Sequence, residues 1–195
     1  MSENLRWFTK AIYQMDHVVR LASPDDPTVW DRPSPCAGWA ARDVLGHVIA
    51  VQRSRMAKIE PGSCEALDPF DRPGRHGGDD PAGTWAQVRD EVLALLDRPG
   101  VLQRAIRTSS GEDTVDAALG FNIADTTIHA WDLARALGVD DRLDPGLVAR
   151  VVEVTEPRIE MLAAAGHFAP GRAPDDDASP QERLLALVGR ADMGR

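Results

Sequence analysis

The chain has 195 residues, 43% of them apolar, and a formal net charge of −9, which suits one globular domain with a sizeable core. The acidic balance excludes a nucleic-acid partner held through its phosphates, which requires a basic patch. Two cysteines, Cys36 and Cys64, make no disulfide framework. With no charged-then-apolar leader and no apolar run near the ~18 residues of a membrane span, the expectation is a cytoplasmic protein without a membrane partner.

The first predicted helix covers residues 3–21, with Phe8, Ala11, Ile12, Met15, Val18 and Val19 at helical spacing. A Pro- and Asp-rich connection leads to a second helix over 40–59, whose core candidates are Val44, Leu45, Val48 and Val51. Residues 60–83 read as a loop rich in Gly, Pro and Asp, of an uncommon length that often marks a lid or a disordered segment. The pattern Thr84-x-x-Gln87 predicts a capping box opening a third helix that ends near Asp97. Alternation in 101–114 predicts a short hairpin. The fourth helix spans 116–137 and stops at Gly138. A fifth opens with Asp144 as cap and Pro145 in its first turn, and Pro157 kinks or breaks it. Ser179-Pro180-Gln181-Glu182 caps a last short helix. With almost no strand signal, the fold class is all-α, a helix bundle. The whole chain reads as one domain, with a core over about 3–138 and a helical extension over about 144–195.

The fourth helix carries a narrow polar seam. Asn122, Asp125, His129 and Asp132 follow one another at three, four and three residues, which lines them along one edge. Phe121 and Ile128 flank that edge on one side, and Leu119, Leu133 and Leu137 on the other. A polar line between apolar flanks points into a protein interior, where charges need a partner or a metal. Asp125 and His129 offer an oxygen and a nitrogen to a single ion, and a third ligand must come from elsewhere. His17 lies opposite the apolar face of its helix, His76 in the long loop and His167 in a C-terminal loop, whereas His47 adjoins the inward Val44, Val48 and Val51. The expected ligands are therefore His47, Asp125 and His129. Two imidazoles and a carboxylate with open positions form the usual plan of a catalytic metal site; zinc fits best, with nickel, iron and manganese open. Asp132 takes the catalytic place, either as a base or as the partner orienting a ligand imidazole. Cys36 reads as a small buried cysteine rather than a nucleophile or a fourth ligand. Trp39 and Trp131 are expected around the site entrance, and Asp175, Asp176 and Asp177 in a solvated loop.

Ser34-Pro-Cys-Ala-Gly-Trp39 followed by Arg42-Asp43-Val44-Leu45-Gly46-His47 resembles the "PCxGWxxRDxxxH" block of actinobacterial DinB-like proteins. That family includes the metal-binding domain of mycothiol-dependent maleylpyruvate isomerase. Ala124-Asp125-x-x-x-His129-Ala130-Trp131-Asp132-Leu133-Ala134 is similar to the family's second block, and the stretch from Ser179 to Arg190 to the tail of its short, single-domain members. The resemblance implies a four-helix bundle with up-down-down-up connections. It also implies a metal, usually zinc, held by His47, Asp125 and His129, and a low-molecular-weight thiol cosubstrate, mycothiol in actinobacteria. Thiol transfer and thiol-assisted cis–trans isomerisation are the reactions it implies. This chain departs from the isomerase in having Asp125 where that enzyme has Glu, and Ala40 where relatives often place a capping Thr.

Two functional readings follow. In the first, the protein is a thiol S-transferase or isomerase-like enzyme acting on a small thiol and an electrophile. In the second, it is a non-catalytic metal-binding or stress-response protein, with its helix faces available for a homodimer. A bundle whose seam is closed by internal hydrogen bonds is the third, purely structural, possibility.

Overall fold

The structure is a computed structural model that describes residues 1–22, 26–108, 111–164 and 171–190. Four long helices form the body: α1 (Glu3–Arg20), α2 (Ala41–Ile59), α3 (Pro81–Leu96) and α4 (Val115–Leu137). Ser2 starts α1 by accepting the Leu5 N–H at 3.0 Å, and the predicted apolar face of this helix is buried throughout. Asp16 is buried beside that face because it pairs with Arg89 of α3 and, at 2.8 Å, with Arg20.

Contacts between helices fix their directions. Ser2 bonds Asp116, so α1 and α4 start together and run parallel. Arg53 meets Glu91 and Arg98 meets Glu60, so α2 and α3 run alongside each other in the same direction. Arg32 and Cys36, just before α2, meet the Leu137 carbonyl and Asp132 in the last turns of α4, so α2 runs opposite to α4 and the order is up-down-down-up. Two parallel neighbours need a long crossover between them, which is the role of residues 60–80.

That crossover is moored to α2. Ser54 donates to the Leu67 carbonyl, the Cys64 thiol to the Arg53 carbonyl at 3.3 Å, and Asp43 accepts the Gly74 N–H at 2.9 Å. A 3-10 turn, Pro73–Arg75, rests on Gly46, where an added Cβ would lie 1.9 Å from the Pro73 carbonyl oxygen. Gly46→Ala must therefore push the turn off α2. The expected cost is about 1–3 kcal/mol, as for other overpacked sites, read as a lower urea midpoint; an unchanged midpoint would contradict the close seat.

The third helix starts a turn earlier than its sequence pattern predicts. Asp80, not Thr84, is the cap and accepts the Gly83 N–H at 2.9 Å, with Pro81 in the first turn; Thr84 instead donates to the Gly77 carbonyl. Ala40 caps α2 without a side-chain bond, and Asp43 compensates in part by accepting the Ala40 N–H at 2.9 Å.

The predicted hairpin is present as β1 (Ala105–Thr108) and β2 (Gly111–Thr114), paired antiparallel. It feeds α4, which Thr114 caps and Gly138 ends in the left-handed conformation. Next come α5 (Pro145–Thr155) and α6 (Ile159–Ala164), separated at Pro157 by a 3-10 turn, as Pro requires, and then α7 (Pro180–Leu187), opened by the Ser179–Glu182 capping box. α5 packs on α4, and α7 on α5. No helix among the described residues is long and apolar enough to cross a membrane.

Candidate metal centre

The seam on α4 faces inward. Asn122, Asp125 and Asp132 are buried, and His129 is nearly so. Phe121, expected to flank the seam inside, is instead 40% exposed.

His47 comes in from the antiparallel α2. Its Nε2 lies 3.5 Å from Asp125 Oδ1, and His129 Nε2 lies 3.6 Å from the same oxygen. The three donor atoms all fall within 4.8 Å of one another. Ligands ~2.05 Å from a tetrahedral ion are about 3.4 Å apart, so one ion fits between them. Both separations exceed an ordinary N–H···O hydrogen bond, and Asp125 Oδ2 has no partner at all. The cluster is thus left unclosed by its own hydrogen bonds.

The far side of each imidazole is fixed. His47 Nδ1 donates to the Pro69 carbonyl at 3.0 Å, and His129 Nδ1 donates to Asp132 Oδ2 at 2.9 Å. Each bond places the proton on Nδ1 and leaves the Nε2 lone pair aimed at the cluster, the arrangement that orients metal-bound histidines elsewhere. Burial alone would pull the His47 pKa down, but Asp125 and the Pro69 carbonyl raise it above its ordinary value. Burial likewise raises Asp125, yet the close approach of His47 and the charges of His129, His47 and Arg55 hold its carboxyl below the usual range.

Asp132 is fully enclosed. Its Oδ1 accepts from Arg190 Nε at 2.8 Å, and its Oδ2 from Arg190 Nη2 at 2.7 Å and from the Cys36 thiol at 3.2 Å. Burial alone would raise its carboxyl, but the bond from His129, with the bonds and charge of Arg190, holds it at about 2. Burial, and next the Asp132 charge, push the Cys36 thiol well above its ordinary value, so Cys36 acts as a hydrogen-bond donor and not as a nucleophile. With both oxygens committed and no exposed surface, Asp132 sits behind His129 as its orienting group. Of the two roles the sequence allowed it, the geometry favours that one over a base meeting a ligand.

Arg55 approaches from deeper in the bundle. Its guanidinium lies over Phe8, and burial pushes its pKa down to about 10 while the Asp125 charge opposes the shift. Its Nε and Nη1, with Asn122 Oδ1, have no hydrogen-bond partner. Trp39 frames the cluster, its ring 5.1 Å from His47 and stacked 6.1 Å from His129. Trp131, expected at the entrance as well, packs under Arg135 instead. His17 is exposed, and His76 bonds the Asp68 carbonyl away from the cluster; His167 lies outside the described residues. Asp175, Asp176 and Asp177 are exposed, as expected. Sequence spacing carried no sign of Arg190 or Arg55, which reach the site from other elements.

The family model described as mycothiol maleylpyruvate isomerase N-terminal domain matches residues 11–134, a span that holds every residue of the donor cluster. The chain belongs to that family. It is also 30% identical over 171 residues to two Mycobacterium tuberculosis proteins, uncharacterized protein MT0763 of strain CDC 1551 / Oshkosh and uncharacterized protein Rv0738 of strain H37Rv. In each case the match covers 81% of this chain and 83% of the relative. No solved structure matches the chain significantly. Family membership accounts for the DinB-like helical fold and ties the chain to mycothiol-related proteins, while Arg190, beyond the matched span, reaches Asp132 from the C-terminal extension.

Proposed function

We propose that this member of the family holds one divalent ion, zinc first among the candidates, on His47, Asp125 and His129, and that it is a mycothiol-dependent S-transferase or isomerase-like enzyme. The observation that carries the reading is the meeting of two imidazole Nε2 atoms with Asp125 Oδ1, each imidazole fixed from behind through Nδ1. A structural seam closed by its own hydrogen bonds would not leave three donors and Asp125 Oδ2 without close partners.

When bound, such an ion supplies Lewis acidity that lowers the pKa of a thiol, so that thiolate forms at neutral pH. The residues of the chain do the rest. Pro69 and Asp132 hold the two imidazoles in one tautomer. Arg190 neutralises Asp132, so the second sphere adds no net charge. Trp39 and the residues around it keep water from one side of the cluster. A thiolate sulfur in this setting attacks an electrophilic carbon, either displacing a leaving group or adding reversibly and allowing rotation about a former double bond.

The test is to mix the zinc-loaded, untagged protein with mycothiol and a model electrophile. Thioether formation well above the uncatalysed rate is expected, with loss of the excess in Asp125→Ala; equal rates with and without protein would discard the enzymatic reading. Ion affinity is also expected to fall with pH. The raised pKa of His47 makes a proton the competitor for its Nε2, so binding weakens as pH drops through and below neutrality, with proton uptake on release. Titrating zinc from pH 8 to pH 5 measures this, and pH-independent affinity would argue against an imidazole ligand.

A further inference from the structure

We propose that the guanidinium of Arg55, with Asn122 beside it, forms an anion subsite one helical turn from the donor cluster, so that the ion and a small carboxylate bind the protein together. The inference rests on the metal reading above and adds a second ligand of stated chemistry to it.

A buried cation needs a partner, and Arg55 has none at bonding distance. Its Nε and Nη1 are enclosed and make no hydrogen bond. The residue as a whole is only half-buried, which leaves a small ion a way to it. Burial lowers its pKa only to about 10, so the charge persists at neutral pH, and the carboxylate whose charge acts on it is Asp125.

Two relations place the guanidinium. α1 and α4 run parallel from the Ser2–Asp116 bond, so Phe8 and Asn122, each six residues further on, lie at one level. Arg55 lies over the Phe8 ring, 5.9 Å from its centre, and hence at the level of Asn122. The direction of α2, opposite to α4, likewise carries Arg55 past His47 and Asp125 towards that end of the seam. Asn122 is buried with its Oδ1 unpartnered, and it stands one turn, about 5 Å, from Asp125.

Loading the site changes the charge balance. With a divalent ion on His47, Asp125 and His129, the carboxylate that offsets Arg55 is shared with a stronger cation. Asp132 gives no relief, because Arg190 already holds both of its oxygens. The guanidinium is then a buried cation near a second cation, and an anion at its side offsets the cost. A carboxylate suits the place: its oxygens accept from planar guanidinium N–H groups, and an asparagine amide carries two further N–H donors.

The experiment measures the zinc affinity of the untagged full chain by competition with a chromophoric chelator. Sodium acetate is raised while a bulky sulfonate holds ionic strength constant. Saturating acetate is expected to tighten zinc binding roughly fivefold or more, the scale of coupling between two sites, and to leave the affinity of Arg55→Met unchanged. That variant keeps an apolar stem over Phe8 and loses the charge, so without acetate it binds zinc at least as tightly as the wild type; a melting curve checks its fold. Arg55→Gln repeats the comparison and decides alone if the methionine variant does not fold. Acetate that tightens zinc equally in wild type and variants, or in none of them, overturns the subsite and leaves the metal reading standing. A wild-type chain that binds no zinc, with or without acetate, fails the metal reading and the subsite with it.

Discussion

The His129→Ala protein, purified without a histidine tag, is expected to carry close to no divalent ion where the wild-type chain carries one. His129 supplies one of three converging donors, and two remaining ligands hold a divalent ion poorly. Losing a group that only orients a ligand typically costs ~10–100-fold in metal affinity, and loss of the ligand itself costs more. The fold tolerates the change: Asp132 keeps both bonds to Arg190 and the bond from Cys36. Elemental analysis with a melting curve on the same sample separates loss of ion from loss of fold. His17→Ala, exposed on α1, serves as the control and retains its ion. Equal ion content in wild type and His129→Ala would remove His129 from the site.

Asp132→Ala is expected to be the most damaging single change outside the three ligands. It strands the Arg190 guanidinium, whose side chain is only 11% exposed, and removes the acceptor for His129 Nδ1 and the Cys36 thiol. Breaking a buried ion pair by deleting one partner costs about 3–5 kcal/mol. The double variant Asp132→Ala/Arg190→Met removes both charges and is expected to regain much of that loss in urea unfolding, yet not the ion affinity, since His129 remains without its orienting partner. Recovery of both would mean that Asp132 does not act through His129. The pH dependence has a definite sign. Asp132 is held at about 2, below the ~3.9 of an unfolded aspartate. Its contribution is therefore complete above about pH 4 and is lost as pH falls through the folded value of about 2. The stability gap between wild type and Asp132→Asn narrows over that window and is constant from pH 5 to 7.

Much of this could be read along the chain because helical spacing is local. Asp125, His129 and Asp132 share an edge of α4 by geometry, and apolar neighbours on both sides mark the edge as interior. His47 was separable from the other histidines by the apolar residues around it. Caps at Asp144 and Ser179 marked the starts of α5 and α7 closely. The parts that stayed hidden depend on distance in sequence. Arg190 meets Asp132 across 58 positions, and no periodicity announces such a pair, although the tail ending at Arg190 resembled that of short family members. The Cys36 thiol sits 96 positions from Asp132, so its role as donor was invisible beside the generic habit of cysteine to be buried. Two caps competed at the start of α3, and Asp80-Pro81 won over Thr84 because proline pre-sets the first turn. The mooring of residues 60–80 was illegible for a different reason: each of its bonds has a backbone group on one side, which carries no sequence mark.

The most direct test of the central claim is a crystal structure of the untagged protein, grown with zinc and measured on both sides of the zinc absorption edge. One anomalous peak is expected within ~2.0–2.2 Å of His47 Nε2, His129 Nε2 and Asp125 Oδ1. A peak elsewhere, such as on Cys36 and Asp132, or none at these three atoms with zinc in excess, would contradict the account.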